Sequence, residues 1–289
     1  MKKIILIFMV CVFPLTADKL TDQAKHQGVT LNFYQSDDGS TIDFRILNAD
    51  TTNYNLKIEM DLDNMKSDRP LPFQTVVPAS TNTEMKLFSI QRVDMQKGFY
   101  YRNFKWYLTI GPSVATSSQS GEPKTVVHKG TYKYPFAKGQ KFRVDNAFNG
   151  YGAHQGDWAY AVDFKMPEGT PIHAARAGVV IAVEDKYSVG GNDPSLGSKA
   201  NFIFIEHQDG SMGRYLHFKK NGVLVKVGQK IKISQKIGLS GNTGWSTDPH
   251  LHFDVVVPGP GNSQHTVPFK FRGSDGKAFS PVFGMELQN

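Results

Sequence analysis

Short runs of alternating apolar and polar residues dominate the chain between residues 29 and 110. Alternation with a period of two places successive side chains on opposite faces of a β-strand, and no long amphipathic helix interrupts the pattern. Strands at this spacing predict a β-sandwich-like N-terminal domain. The runs are Val29–Tyr34, Thr41–Leu47, Tyr54–Met60, Thr75–Val77, Thr83–Phe88 and Phe104–Ile110.

The second half of the chain carries apolar runs of the same kind. They are Ala161–Phe164, Gly178–Val183, Phe202–His207, Arg214–Phe218 and His250–Val257. Residues 114–130 are rich in Ser, Thr and Gly, which favours a loop or a late hairpin near a domain junction. The sequence therefore predicts an all-β protein of two domains, residues 18–130 and 131–289, because a chain of 289 residues can hold two modest cores.

The first residues have the pattern of an export signal. Lys2 and Lys3 precede the apolar run Ile4–Leu15, and Thr16 and Ala17 supply small residues for cleavage. A membrane anchor is the alternative, but the apolar run is shorter than the ~20 residues that span a bilayer. We therefore expect a signal peptide at residues 1–17, cleavage near Ala17, no transmembrane segment in the mature chain, and a periplasmic or extracellular location.

Cysteine usage and charge narrow the possible functions. Cys11 is the only cysteine and lies in the predicted signal, so the mature chain would have no thiol chemistry, which excludes a cysteine peptidase.

The net charge of +7 becomes about +5 (7 − 2) when residues 1–17 are removed with their two lysines. A basic exported protein is attracted to anionic surfaces such as bacterial envelopes. The lysines are scattered and no basic helix accompanies them, which argues against nucleic acid as the partner.

Five residues in the second half are candidates for metal chemistry: His154, Asp163, His217, His250 and His252. Residues two apart in a strand share a face, so His250 and His252 point into one space while Leu251 faces the core. By the same rule Tyr215 would share a face with His217. Asp163 lies in an apolar strand, where an unpaired carboxylate is costly to bury and a cation would remove that cost.

Two histidines and an aspartate with an open fourth position are typical of a catalytic zinc site. The two remaining histidines would then serve as proton carriers or electrostatic stabilisers. A single His-x-His is by itself more often an incidental strand pattern, and a lone Asp163 would be a surface carboxylate or a turn cap. The combination of these residues in one half of the chain is what indicates a metal site.

The same residues lie in longer blocks that resemble a known family. The stretch Gly238–Val255 (GLSGNTGWSTDPHLHFDV) resembles the signature of the lysostaphin-type zinc peptidases, the LytM or M23 family. The resemblance extends over about residues 134–270, with the blocks in the family's order. The upstream blocks are His154–Ile172, Ala174–Val180, Asn201–Gly210, Gly213–Phe218 and Val227–Ile231.

This resemblance implies one zinc ion per chain, held by His154, Asp163 and His252. His217 and His250 would lie beside the metal, one taking a proton from water and the other steadying the oxyanion, with their order left open. It also implies an antiparallel β-sheet domain with an open groove. The implied function is an exported zinc metalloendopeptidase that hydrolyses stem peptides or cross-links of bacterial peptidoglycan.

The spacing of the first two ligands departs from the family's usual pattern. Many members place the first His and the Asp four residues apart, whereas His154 and Asp163 are nine apart. Asp157 is therefore a rival ligand. We favour Asp163, because it has the buried strand context and the continuation Met166–Pro171 that the resemblance includes.

Other functions remain open. A catalytically silent regulator of wall hydrolases is one, although such members typically lose metal ligands and all five key positions are filled here. A peptidase of secreted proteins is another. The N-terminal domain could bind glycan or a partner, cover the groove, or act as a spacer. We further expect His207 to be structural and His173 to belong to the wall or core of the domain. The remaining expectations are Tyr215 as groove lining or packing, Asn201 as a backbone support, and residues 188–198 as a mobile rim.

Overall fold

The computed structural model describes residues 24–26, 28–50, 52–81, 83–110, 128, 130–152, 154–258, 264–273 and 275–289. The predicted signal peptide with Cys11 lies outside the described residues, as do residues 114–130 apart from 128 and 130. The described part of the protein is nearly all-β, with 52% of these residues in strands and 4% in helices, which confirms the predicted class. In the described part of the chain, no helix combines the length and apolar character needed to cross a membrane.

The described residues form two compact units, one ending at Ile110 and the other running from His128 to Asn289. The N-terminal unit has a five-stranded sheet, ordered β1-β2-β3-β7-β5, and a three-stranded sheet, ordered β6-β4-β8. Its strands are β1 (Ala24–His26), β2 (Val29–Gln35), β3 (Thr41–Asn48), β4 (Tyr54–Asp63), β5 (Met65–Ser67), β6 (Phe73–Val77), β7 (Met85–Arg92) and β8 (Tyr100–Thr109).

One hydrophobic core lies between the two sheets of this unit. Strand β3 alternates strictly between half-buried and buried positions, as a strand with one face on a core must. Phe44 on β3 stacks on Phe88 at 4.5 Å between ring centroids, while Phe33 contacts Phe104 of the other sheet at 5.5 Å. Phe44 and Phe88 are almost completely buried, and each such side chain contributes about 1.5–3 kcal/mol to folding. The predicted β-sandwich-like arrangement is therefore present.

The second unit is built on a nine-stranded antiparallel sheet, ordered β18-β13-β15-β16-β21-β11-β10-β25, with β22 paired to β21. Its strands are β9 (Thr131–Tyr132), β10 (Lys141–Asn146), β11 (Ala161–Lys165), β12 (Pro171–His173), β13 (Gly178–Glu184), β14 (Gly190–Gly191), β15 (Phe202–Glu206), β16 (Met212–Leu216), β17 (Phe218–Val223), β18 (Lys230–Ile231), β19 (Lys236–Ser240), β20 (Gly244–Trp245), β21 (His250–Pro258), β22 (Gln264–Thr266), β23 (Lys270–Arg272), β24 (Ala278–Phe279) and β25 (Glu286–Gln288).

Smaller sheets flank the large one. They are β12-β19-β17, β14-β20 and β24-β23-β9, and the pairs β14–β20 and β23–β9 are parallel. Among the residues that the structure describes, the helical ones form two short 3-10 helices, Gly156–Trp158 and Pro194–Lys199. The predicted antiparallel sheet is confirmed, and an open groove stays a prediction.

The three central strands of the large sheet, β16, β21 and β11, position the candidate chemistry. Asp163 is opposite His252 across β11 and β21, and Leu216 is opposite His252 across β16 and β21. Residues directly opposite each other share a face, so Asp163 and His252 lie on the same face of the sheet, which we call the polar face. Leu251 and Phe253 are fully buried in the core on the other face, as predicted for Leu251.

His207 lies in the turn between β15 and β16 and is only 3% exposed. Its Nδ1–H donates to the carbonyl oxygen of Ala177 at 2.9 Å. Burial lowers the pKa of this imidazole to about 4 against the partial opposition of that hydrogen bond. The predicted structural role fits this packed position.

We predict that His207 makes the fold sensitive to acid. Its folded pKa of about 4 lies below the ordinary value, so its neutral form stabilises the fold fully above pH ~6.5 and loses that contribution as pH falls toward 4, by about 3 kcal/mol in total. Asparagine at this position can keep the donor to Ala177 but does not titrate. Urea unfolding of wild type and H207N at about pH 7 and pH 4 should show a smaller acid loss for H207N. Equal losses in both proteins would contradict the assignment.

Candidate metal centre

Asp163 lies at the centre of a cluster of imidazoles on the polar face of the large sheet. Its Oδ1 is 2.9 Å from His252 Nδ1, and its Oδ2 is 3.0 Å from His154 Nε2. The ligand atoms of His154, Asp163 and His252 all lie within 4.8 Å of one another. Two of these residues come from adjacent strands, and the third comes from a loop.

That loop accounts for the long spacing between His154 and Asp163. Asn149 N donates to Ala159 O at 2.6 Å, which closes the loop at its base, and the 3-10 helix Gly156–Trp158 fills it. His154 is buried, and its Nδ1–H donates to Ala147 O at 3.0 Å, so its Nε2 is left to face Asp163. The rival Asp157 is exposed and lies 3.3 Å from His265 instead.

The donor set fits a zinc ion. Two imidazole nitrogens and a carboxylate are zinc ligands, and ligand bonds of ~2.0–2.2 Å in a tetrahedron leave about 3.3–3.6 Å between ligand atoms. His154 Nε2 lies 3.0 Å from Asp163 Oδ2 but lacks the alignment of a hydrogen bond and has no other partner. A buried nitrogen without a hydrogen-bond partner, beside a buried carboxylate, is a polar atom that a shared cation would satisfy.

The Asp163 carboxylate and the neighbouring imidazoles each favour the charged form of the other. Burial opposes ionisation of Asp163, yet the contacts with His154 and His252 hold the pKa of its carboxyl well below the ordinary value. Burial also opposes protonation of His252, but its hydrogen bonds with Asp163 and Asp254 raise its pKa to about 9. The carboxylate is therefore ionised and selects positive charge in its surroundings.

His217 and His250 lie beside this cluster and present the same nitrogen to it. Their ring centroids are 4.6 Å apart, and His250 Nε2 is 3.7 Å from Asp163 Oδ1. The Nδ1–H of His217 donates to Thr243 O at 2.7 Å, and that of His250 donates to Asp248 O at 2.7 Å. An Nδ1 that faces a carbonyl must carry the proton, so in the neutral ring Nε2 keeps its lone pair. Burial lowers the pKa of His217 well below its ordinary value.

The prediction that Tyr215 and His217 share a face is wrong. Tyr215 is fully buried in the core, where its ring lies 4.9 Å from Phe253 and its hydroxyl accepts a hydrogen bond from Ala175 N. Strand β16 ends at Leu216, and His217 has a φ of +71°, in the left-handed region that non-glycine residues rarely adopt. This turn redirects the imidazole to the polar face, where strand alternation would not place it. The run Arg214–Phe218 is accordingly two strands and not one.

Asn201 supports the backbone around His217, as considered from the sequence. This side chain is fully buried; its Nδ2 donates to Tyr187 O at 2.8 Å and to Phe218 O at 3.1 Å, and its Oδ1 accepts from Tyr187 N at 3.0 Å. The backbone N of Asn201 donates to Thr243 Oγ1 at 3.0 Å. Thr243 in turn supplies the carbonyl that orients His217, so this network fixes one edge of the site.

The predicted rim, residues 188–198, is attached to the strand that precedes His250. Gly244 N donates to Val189 O at 2.8 Å and Ser246 N donates to Gly191 O at 3.1 Å. A Cβ on Gly190 would lie 1.6 Å from Asn242 O, so only glycine allows this close approach. Trp245, 40% exposed, is held beside the rim by a contact of 3.4 Å with Asn192.

Arg214 and Asp254 are residues of the site that were not predicted from the sequence. Both are buried, and they form a two-point ion pair on the face that carries His252. The signal was present, because Asp254 lies in an apolar strand just as Asp163 does, and the cost of burying a carboxylate applies equally to both.

The donor set and the all-β fold agree with a metallopeptidase domain, and comparison with known proteins shows which family this part of the chain resembles. Residues 158–267 match the sequence model described as peptidase family M23. The peptidoglycan DD-endopeptidase ShyA of Vibrio cholerae is 40% identical over 97 residues, which are 34% of this chain and 20% of ShyA. Lysostaphin of Staphylococcus simulans is 38% identical over 139 residues, 46% of this chain and 26% of lysostaphin.

The catalytic domain of that lysostaphin is also similar in structure, with 30% identity and a TM-score of 0.30 over 49% of this chain and 88% of that domain. Residues 158–267 thus match the model of peptidase family M23, and the resemblance drawn from the sequence is confirmed. This chain covers only 20% of the length of ShyA and 26% of the length of lysostaphin. The family match begins at residue 158 and so includes Asp163 but not His154, which the structure adds to the cluster.

We predict that the Asn201 network contributes strongly to stability. N201A removes three hydrogen bonds and leaves buried backbone groups without partners, which should lower the free energy of unfolding by about 2–4 kcal/mol. The matched control is N192A at an exposed asparagine, which should change it by about 0.5 kcal/mol or less. Thermal or urea unfolding of the two variants measures the difference, and similar values for both would contradict the role of Asn201.

Proposed function

We propose that this chain is an exported zinc metalloendopeptidase that hydrolyses peptide bonds of bacterial peptidoglycan, with its chemistry in residues 131–289. The observation that carries the proposal is the cluster of His154, Asp163 and His252, whose ligand atoms lie within 4.8 Å of one another, with two further imidazoles beside it. Residues 18–130 form a separate β-sandwich-like domain in this proposal.

Each residue of the cluster has a defined task. His154 Nε2, Asp163 and His252 Nδ1 would hold the zinc ion, which would supply a water nucleophile near neutral pH and polarise the scissile carbonyl. His217 and His250 each direct Nε2 at the reacting position, since their Nδ1–H groups are held by carbonyl oxygens. One accepts the proton of the attacking water on Nε2 and returns it to the leaving amine. The other, in its imidazolium form with a proton on Nε2 as well, donates a hydrogen bond to the carbonyl oxygen as that oxygen gains charge.

Peptidoglycan as the substrate is supported by the names of the relatives. ShyA is described as a peptidoglycan DD-endopeptidase, and another similar protein, from Staphylococcus capitis, as a glycyl-glycine endopeptidase. The net charge of about +5 expected after export agrees with an anionic wall. Together these observations favour wall peptides over other secreted proteins.

We predict that the purified mature protein binds about one zinc ion per chain and releases new peptide termini from wall preparations. H250A should keep the zinc but lower the rate by about 10²–10⁴, the usual contribution of a proton-transfer group. Zinc content and product release are measured on the same samples.

A second pair of variants tests which aspartate binds the metal. D163N removes the carboxylate at the centre of the cluster and should lose both zinc and activity, whereas D157N changes an exposed carboxylate and should keep both. Zinc lost from D157N but kept by D163N would overturn the ligand set. Wild-type protein with neither zinc nor cleavage would overturn the enzyme and favour a regulatory role.

A further inference from the structure

Arg214 and Asp254 form a fully buried ion pair at the middle of the large sheet. Arg214 Nε donates to Asp254 Oδ1 at 2.7 Å, and Arg214 Nη2 donates to Oδ2 at 2.6 Å. The two residues are directly opposite each other across β16 and β21, and they are 2% and 0% exposed. This is the two-point geometry in which guanidinium and carboxylate bind most strongly.

Stability alone does not account for this pair. Removing two charges from water is costly, and apolar residues of similar volume often stabilise a core as well or better. The pair does, however, make one further contact: Asp254 Oδ2 lies 3.2 Å from Nε2 of His252. The opposite ring nitrogen, Nδ1, is the one that lies 2.9 Å from Asp163.

These contacts give His252 a defined orientation. Asp254 is a carboxylate already bound by a cation, so it accepts a hydrogen bond and cannot donate one, and the proton of the ring must be on Nε2. In the metal-free ring Nδ1 faces the ionised Asp163 and carries a proton as well. A metal ion would take the place of that proton, so the lone pair that binds it is the one on Nδ1, on the side of Asp163 and His154. Carboxylates that bind the far nitrogen of a metal-binding histidine fix its tautomer and raise metal affinity.

Trp158 covers the same assembly. Arg214 Cζ lies 4.2 Å from the centroid of the Trp158 ring, and the ring packs edge-on against His252 at 5.6 Å between centroids. Trp158 belongs to the 3-10 helix that lengthens the connection from His154 to Asp163. The extra residues between these two therefore bring an aromatic cover to the ion pair, which keeps water from competing for its hydrogen bonds.

We propose that Asp254, held by Arg214 and covered by Trp158, is a positioning residue that fixes His252 with Nε2 protonated and Nδ1 free to bind zinc. The inference rests on the proposed function only in that zinc is the metal. It predicts an effect on metal affinity that is separate from any effect on folding.

The test compares two aspartates, each paired with a buried or half-buried arginine. An asparagine at position 254 has one acceptor oxygen in place of two, so it cannot accept from Arg214 Nε, Arg214 Nη2 and His252 Nε2 together. The full-length D254N chain should therefore bind zinc about 10–100-fold more weakly than wild type. The control is D209N, which breaks the Arg176–Asp209 pair away from the cluster and should leave zinc affinity unchanged. Competition with a chromophoric chelator measures the affinities, and circular dichroism checks folding.

Two further measurements apply whether or not D254N folds. R214K keeps the charge but loses the two-point clamp, and it should weaken zinc binding several-fold while W158L weakens it less. Ring-nitrogen NMR of the zinc-loaded wild type should show His252 protonated at Nε2 and bound at Nδ1. Unchanged zinc affinity in both D254N and R214K, or zinc bound to Nε2 of His252, would overturn the positioning role of Asp254 and leave the proposed function intact.

The remaining outcomes separate the inference from the proposed function. Equal losses of affinity in D254N and D209N would indicate a general effect of destabilisation and would also overturn it. A wild-type chain that binds no zinc overturns the proposed function and this inference together. Zinc binding without cleavage of wall peptides removes the substrate proposal and leaves the positioning role standing.

Discussion

A carboxylate buried among imidazoles organises the second domain. An ionised Asp163 without partners would be costly at this depth, so the sheet and the loop around it must supply positive charge or donors. His252 does so from the neighbouring strand, His154 from a loop, and His250 from the strand end. The requirement to satisfy one negative charge thus fixes the relative positions of three separate chain segments, and the same arrangement is what a divalent cation needs.

The parts of this arrangement that follow local rules could be predicted from the sequence. Strand alternation placed Leu251 in the core and His250 with His252 on the other side, because side-chain direction in a regular strand depends only on parity. The apolar residues on both sides of Asp163 in the chain were enough to mark it as a buried charge. The main strands of both domains could be predicted for the same reason, while the short strands β1 and β5 carry too few residues to show a period.

The parts that were not predicted depend on contacts between distant segments. His217 reaches the site through a left-handed residue at a strand end, and nothing in its local pattern reveals that φ. The Arg214–Asp254 pair requires the register of β16 against β21, which is set by the whole sheet. Asn201 similarly joins Tyr187 and Phe218, which lie 14 and 17 residues away along the chain. Such side chains are defined by three-dimensional neighbours and not by sequence spacing.

The loop that carries His154 makes the position of this histidine in the site independent of the number of residues between it and Asp163. Its closing hydrogen bond between Asn149 and Ala159 lets the backbone leave the sheet and return, so residues can be gained or lost inside it without moving β11. Asp163 and His252, in contrast, are locked to each other by strand pairing. A sequence pattern that demands a fixed interval to the first histidine will therefore overlook proteins of this kind, whereas one anchored on the paired strands and tolerant of any loop length will find them.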